Sequence, residues 1–400
     1  MGRAGKDTRP LSDDPSVRLR ACPPVRLPAR PWEFDVMTTI RADNIGSMLR
    51  PPTLLAAREQ HRAGLLDDLG FKAIEDRAVD FCVGVQELSG IGVVTDGEMR
   101  RNVFASSLAQ AVEGFDAVTG NTVDWFTLEG KKETSPVTVG LVSKLKRKRH
   151  LSSEEFVYLR AKTSRPTKVT IPSPTMYAYY WVPGVSNAAY PSTDAYMADV
   201  TDILADEVRE LIRLGCNYIQ FDAPEFGMVL DPHQQAWFRA KGFDPATMVH
   251  HGIEMMNAIM AGHHDRCTFG LHVCRGNDAN RYMGKGSYAS IAEEILARTD
   301  AKVLLLEYDD ERSGDFSPLK HATPDKTICL GLVTTKRPRE ETEEEIIARV
   351  QEATRFVPLE RLTLSTQCGF ASVAEGNNIP FELQERKLGL VARVAKQIWG

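Results

Sequence analysis

Eight short apolar runs recur along the chain, at 38–44, 93–98, 169–174, 218–224, 268–274, 303–309, 327–333 and 362–368. Amphipathic helical patterns lie between most of them, at 53–90, 193–215, 234–262, 286–298, 340–355 and 380–399. This alternation signals βαβ units and a parallel sheet. Eight such units predict an α/β fold of the closed (β/α)8 TIM-barrel type rather than an open doubly wound sheet. No G-x-G-x-x-G follows the first run, which argues against a dinucleotide-binding fold. A chain of 400 residues fits one such barrel with an insertion.

Two stretches depart from the pattern. Residues 1–36 are rich in Pro and Arg and have no amphipathic period, so they are expected to be a disordered extension before a single catalytic domain at 37–400. The acidic residues Asp7, Asp13, Asp14, Glu33 and Asp35 argue against an organellar transit peptide. The connection at about 100–167 is too long for one crossover and reads as an insertion between the second and third strands, a hairpin over one barrel mouth. Its basic run at 144–150 has no interleaved aromatics and is expected to be a solvated hairpin tip.

Composition removes several function classes. With 49 basic against 54 acidic residues the net charge is −5, which is not the balance of a nucleic-acid binder. No apolar stretch is long enough for a membrane helix. Seven cysteines, an odd and scattered set, imply thiol or metal chemistry in a reducing, cytoplasmic setting rather than a disulfide framework.

In a parallel barrel the carboxyl ends of the strands converge on one face, where polar residues read as catalytic. Here those ends carry Asp96 and Glu98, Asp222 and Glu225, His272 and Cys274, Glu307, and Cys368. His272 and Cys274 form an H-x-C, and period two points both side chains the same way. With Glu307 and Cys368 they make a plausible shell of two thiolates, an imidazole and a carboxylate for Zn²⁺. The competing reading is core cysteine, which suits Cys216, Cys267 and Cys329 better than Cys274 and Cys368, each beside Gly and polar residues. For Glu307 it is an ion pair with Arg312.

The pieces IRADNIGSMLRP, VVTDGEMRRNVF, YIQFDAPE, LHVCRGN, LEYDDERSGDF, GLVTTKRPRE and LSTQCGFAS, in order over about 37–400, resemble the catalytic half of cobalamin-independent methionine synthases. The chain is most similar to the short methionine-synthase-like proteins. The resemblance implies a TIM barrel with zinc held by His272, Cys274, Glu307 and Cys368. It also implies that the amino-acid end of homocysteine is held by Ile45, Ser47, Glu98 and Asp222. The family's proton-donor histidine has no counterpart in GLVTTKRPR, where Thr334, Thr335 and Lys336 stand, and Asp309, Asp310 and Lys336 are the nearby substitutes.

The expected activity is therefore zinc-dependent methyl transfer to a thiol, with homocysteine converted to methionine by a zinc-bound thiolate. The donor is a folate, a corrinoid protein or another methylated compound. The carboxylates Glu98 and Asp222 accept hydrogen bonds and suit an ammonium group better than a sulfonate; Arg100 and Arg275 are available for a carboxylate. The alternatives are an epoxyalkane:coenzyme M transferase-like reaction, with another electrophile, and a zinc-binding barrel without turnover. Neither a nucleic acid nor a membrane is expected as partner.

Overall fold

The structure, a computed structural model, describes residues 40–400; the expected extension at 1–36 and the start of the first apolar run lie outside the described residues. The strands are β1 (Val112–Ala117), β2 (Thr122–Phe126), β3 (Lys132–Pro136), β4 (Val139–Arg147), β5 (Val169–Pro172), β6 (Tyr218–Asp222), β7 (Thr268–Val273), β8 (Val303–Glu307), β9 (Thr327–Val333) and β10 (Leu362–Thr366). The last six form one parallel sheet in the order β10-β9-β8-β7-β6-β5. They coincide with the six later apolar runs.

The first two runs are extended segments held by isolated bridges. Asp43 N donates to Leu364 O at 2.8 Å and Leu364 N to Arg41 O at 3.0 Å, which sets the first run beside β10. Gly92 N donates to Ala42 O at 2.9 Å, and Val94 exchanges bonds of 2.9 and 3.0 Å with Pro166 and Lys168 ahead of β5. Their ladders stop early because side chains take over the next backbone groups. Gln86, on the helix Asp68–Ser89, accepts from Thr95 N at 2.9 Å, and Asn44 Nδ2 donates to Val93 O at 3.1 Å.

Strands buried on both faces read as continuous apolar runs. All five residues of β8, VLLLE, are buried. Val303 and Leu305 pack with Ile40, Val93, Tyr218 and Cys329 in an inner cluster, while Leu304 and Leu306 join the larger core that includes the helices. Period two then puts Glu307 on the inner face with Val303 and Leu305.

The helix Thr193–Arg213 shows why the outer layer forms. Ser192 caps its start through Ala195 N, and Tyr196, Val200, Leu204, Val208 and Leu211 recur at helical spacing on the buried stripe. The pattern at 53–90 divides into Pro52–Arg62 and Asp68–Ser89, with Gly64 at φ 70° and an Asp67 cap between them. That at 234–262 divides at Gly242, where Asp244 and Pro245 restart the chain as Pro245–Met260. The stretch at 286–298 is short 3₁₀ and π turns instead of a regular helix.

The insertion is two nested antiparallel pairs, β1 with β4 and β2 with β3, and not one hairpin. It also carries a helix, Ser153–Lys162. The basic run at 144–150 is not a hairpin tip. It is largely the end of β4, where Lys144 sits 3.6 Å from Asp199 and 3.9 Å over the Tyr190 ring, and Arg147 lies 3.2 Å from Asp206. The acids of the helix Thr193–Arg213 neutralise it. No helix among the described residues is long and apolar enough to cross a membrane.

One buried ion pair ties the first segment to β5. Lys168 Nζ lies 2.7 Å from Asp43 Oδ1, and Tyr218 donates to Asp43 Oδ2 at 3.1 Å. Removing one partner strands a buried charge, which costs about 3–5 kcal/mol. Lys168→Met should lose that much in chemical denaturation, whereas Lys168→Met with Asp43→Asn should lose clearly less. Equal losses would show that the charge balance is immaterial there.

Candidate active site

Parallel register brings the polar strand ends together. Asp222, the last residue of β6, pairs in register with His272 of β7, and Glu307, the last of β8, with Gly331 of β9. Cys274 lies just past β7 and Cys368 two residues past β10. One ligand atom each from His272, Cys274 and Cys368 lies within 4.8 Å of the others, and all three residues are buried. His272 Nδ1 is 3.0 Å from Leu305 O, which fixes it as the donor nitrogen, and Nε2 is buried without a partner. An orphaned imidazole nitrogen beside two buried thiols is a donor set that fits Zn²⁺.

Glu307 stands apart from that group of three. Its Oε2 accepts from Arg275 N at 2.8 Å, and its Oε1 lies 3.3 Å from Arg312 with no hydrogen bond. Arg312 also pairs with Asp309 at 3.3 Å and Asp310 at 2.7 Å. The ion pair weighed against metal ligation is thus present, and one carboxylate oxygen is left over.

A cavity of about 770 Å³ opens on the group and is lined by Ile45, Ser47, Glu98, Asp222, His272, Cys274 and Cys368. Seven of the eight residues that the resemblance assigns to zinc and homocysteine therefore share one space; Glu307 does not line it. The 45–47 turn is fixed through its carbonyls: Gln220 donates to Ile45 O at 2.8 Å, Thr95 to Gly46 O at 2.7 Å, and Phe370 N to Ser47 O at 2.8 Å. A Cβ on Gly369 would collide with Ser47 Oγ, so glycine after Cys368 lets the two strand ends meet.

Glu98 is held in the left-handed region at φ 56°, a rare setting for a residue with a side chain. Three bonds impose it: Glu98 N to Asp96 Oδ1 at 3.0 Å, and to Glu98 O from Arg50 at 2.7 Å and Arg101 N at 3.0 Å. Thr170 donates to Glu98 Oε1 at 2.8 Å, and Oε2 is buried without a partner. Backbone strain of this kind clusters at functional sites.

Burial pushes the Asp222 carboxyl up to about 7, with His272 acting against it. The Cys368 thiol is pulled well below its ordinary value by the Cys274 thiol, with burial opposing and His272 assisting. Lys336, a candidate proton donor, is fully buried and donates to Gly276 O at 2.7 Å and Asn277 Oδ1 at 2.8 Å. Arg100 is committed to Asp76 at 2.5 Å. Arg275 donates to Gly286 O at 2.6 Å under the Tyr288 ring. None of these three lines the cavity.

Residues 38–385 match the family described as Cobalamin-independent synthase, Catalytic domain. The chain belongs to this family. An uncharacterized protein of Bacillus subtilis is 32% identical over 362 residues, 90% of this chain and 94% of the relative. A methionine synthase of Pyrococcus abyssi is 27% identical over 327 residues, 81% of this chain and 84% of that protein. A crystal structure from Listeria monocytogenes, carrying the provisional name of a vitamin-B12 independent methionine synthase, is 28% identical with a TM-score of 0.69 and covers 91% of this chain and 99% of its own. The expected relationship to the short members of this synthase family is borne out.

Sequence reasoning missed the cavity's far wall. Phe115, Trp125 and Val139 come from the insertion, and Tyr179 and Tyr180 from the turn after β5. Their only signal was a cluster of aromatics in segments without a helical period.

Beside the cavity, Glu225 is fully buried and accepts from Ser173 and from Thr175 at 2.7 Å. Burial pushes its carboxyl from 4.5 up to about 7, against those two hydroxyls. Between these values the folded chain keeps a proton that the unfolded chain has lost, so this residue's contribution to stability falls as pH rises through the window. Glu225→Gln should match the parent near pH 4.5 and exceed it by up to about 3 kcal/mol at pH 8. Parallel denaturation curves at both pH values would refute the assignment.

Proposed function

We propose that the chain is a methyltransferase of the methionine-synthase type that moves a methyl group onto the sulfur of homocysteine, giving methionine. The observation that carries this is the cavity shared by the group His272, Cys274 and Cys368 with the carboxylates Glu98 and Asp222. Those three side chains, with Glu307 as the fourth, would hold Zn²⁺. When bound there, the ion supplies the ionisation of the substrate thiol, of which only about 3% is thiolate at pH 7 for an ordinary pKa near 8.5.

The chain's own residues do the positioning. Glu98 Oε2 and Asp222 accept hydrogen bonds from the substrate ammonium, and Glu98 is held for that task by Arg50, Arg101 and Asp96. The 45–47 turn, fixed through its carbonyls, lies beside the same cavity and supports the amino-acid end. Glu307, tethered through one oxygen to Arg275 N, has the other oxygen near Arg312 and is the ligand able to exchange.

The isolated bridges of the first two runs support closure of the six-stranded sheet into an eight-stranded (β/α)8 barrel, since they join β10 to the first run, that run to the second, and the second to β5. Two alternatives lose ground. A sulfonated thiol calls for Arg or Lys, and neither lines the cavity among the described residues. A storage site has no use for so large a space beside its ligands.

Purified protein should carry near-stoichiometric zinc, and Cys368→Ser should lose most of it together with homocysteine methylation. Asp222→Asn should keep the zinc and raise KM for homocysteine about tenfold or more, the weight of a charge-assisted hydrogen bond. Folded protein free of zinc, or an unchanged KM in Asp222→Asn, would overturn the corresponding part of the assignment.

A further inference from the structure

The geometry points to a positively charged methyl donor, a sulfonium or quaternary ammonium compound, bound in the aromatic part of the cavity; this rests on the methyl-transfer reading above. Five aromatic side chains line the space: Phe104, Phe115, Trp125, Tyr179 and Tyr180. Phe115 and Tyr180 meet edge to face at 5.3 Å, and Tyr179 is held by its hydroxyl between Met228 and Met283 at 2.8 and 2.9 Å. Aromatic faces attract cations, and methylated onium groups are bound this way because they have no N–H to donate.

The charge of the lining agrees. Glu98, Asp116, Asp222 and Asp278 line the cavity, and no lysine or arginine among the described residues does. The nearby Arg281, which lies 5.6 Å from the Trp125 ring centre, is matched by Asp278 at 2.5 Å and Glu133 at 3.3 Å. Such a wall disfavours a donor with several carboxylates and favours a cation. Trp125 already has a guanidinium over its ring.

The reaction then balances without a general acid. The thiolate sulfur attacks the methyl carbon, the carbon–sulfur or carbon–nitrogen bond of the onium breaks, and its electron pair leaves with a neutral sulfide or tertiary amine. The proton lost from the substrate thiol passes to solvent, so one thiol and one onium give one thioether, one neutral leaving group and one proton. No proton has to reach the leaving group. That matches a site in which Lys336 is taken up by Gly276 and Asn277, and Asp309 and Asp310 by Arg312.

Choline and 3,3-dimethylbutan-1-ol, which differ in the charge of one atom, separate cation recognition from simple apolar binding. Calorimetry on the full chain should show choline binding at least tenfold more tightly, with the preference lost in Trp125→Leu and kept in Cys368→Ser. Equal binding of the two probes, or a preference untouched by Trp125→Leu in folded protein, would overturn the inference. In a second arm, zinc-loaded protein is given homocysteine with deuteromethyl-labelled S-methylmethionine or with 5-methyltetrahydrofolate. Labelled methionine from the sulfonium supports the inference, whereas methionine from the folate alone overturns it and leaves the methyl-transfer reading standing. Choline discrimination with no methionine from either donor would instead sink methyl transfer and keep the cation site.

Discussion

The fully buried guanidinium of Arg101 is the interaction on which the rest of the site depends. It lies 2.7 Å from Glu155 on the helix Ser153–Lys162, donates to Thr170 O of β5 at 2.9 Å, and sits 3.8 Å from Glu98. Three separate parts of the chain, the insertion, the sheet and the 95–101 turn, therefore converge on one cation. A guanidinium presents its donors in a fixed fork, so it sets direction as well as charge. Without it Glu98 and Glu155 would lose the cation they share, and the side-chain end of Glu98 would keep only the hydrogen bond from Thr170.

The same economy appears along the sheet. Parallel strands in register deliver residues of equal parity to one face at one height. Asp222 and His272 meet because β6 and β7 start level, and His272 keeps its Nε2 free because Leu305 O occupies Nδ1. The chemistry at the strand ends is thus a consequence of strand register and of one backbone carbonyl.

Much of this was legible from residues alone. The six later apolar runs became β5–β10 because strands buried on both faces must be continuously apolar, and H-x-C read as a same-facing pair because period two admits nothing else. Glu307 was harder: sequence placed it at a strand end, yet Asp309, Asp310 and Arg312 two to five residues on form a local network that competes for it. The nested pairing of β1–β4 could not be read, since antiparallel partners separated by two other strands leave no local signal. The basic run at 144–150 misled for a related reason, as its acidic partners Asp199 and Asp206 lie on a helix more than fifty residues away.

Several buried acceptors around the site have no partner. Asp96 Oδ2, Glu98 Oε2, Glu225 Oε2, Glu307 Oε1 and His272 Nε2 are all buried without a hydrogen-bond partner. Each such group costs about 1–3 kcal/mol, more when charged, and a chain selected for stability alone would not gather five of them. Glu98 Oε2 and His272 Nε2 belong to residues that line the cavity and would be relieved by a donor or a cation, whereas Glu307 Oε1 already faces Arg312 at 3.3 Å. The proposed metal ion and substrate ammonium both meet that need, whereas a negatively charged ligand beside Glu98 and His272 Nε2 would leave it unmet.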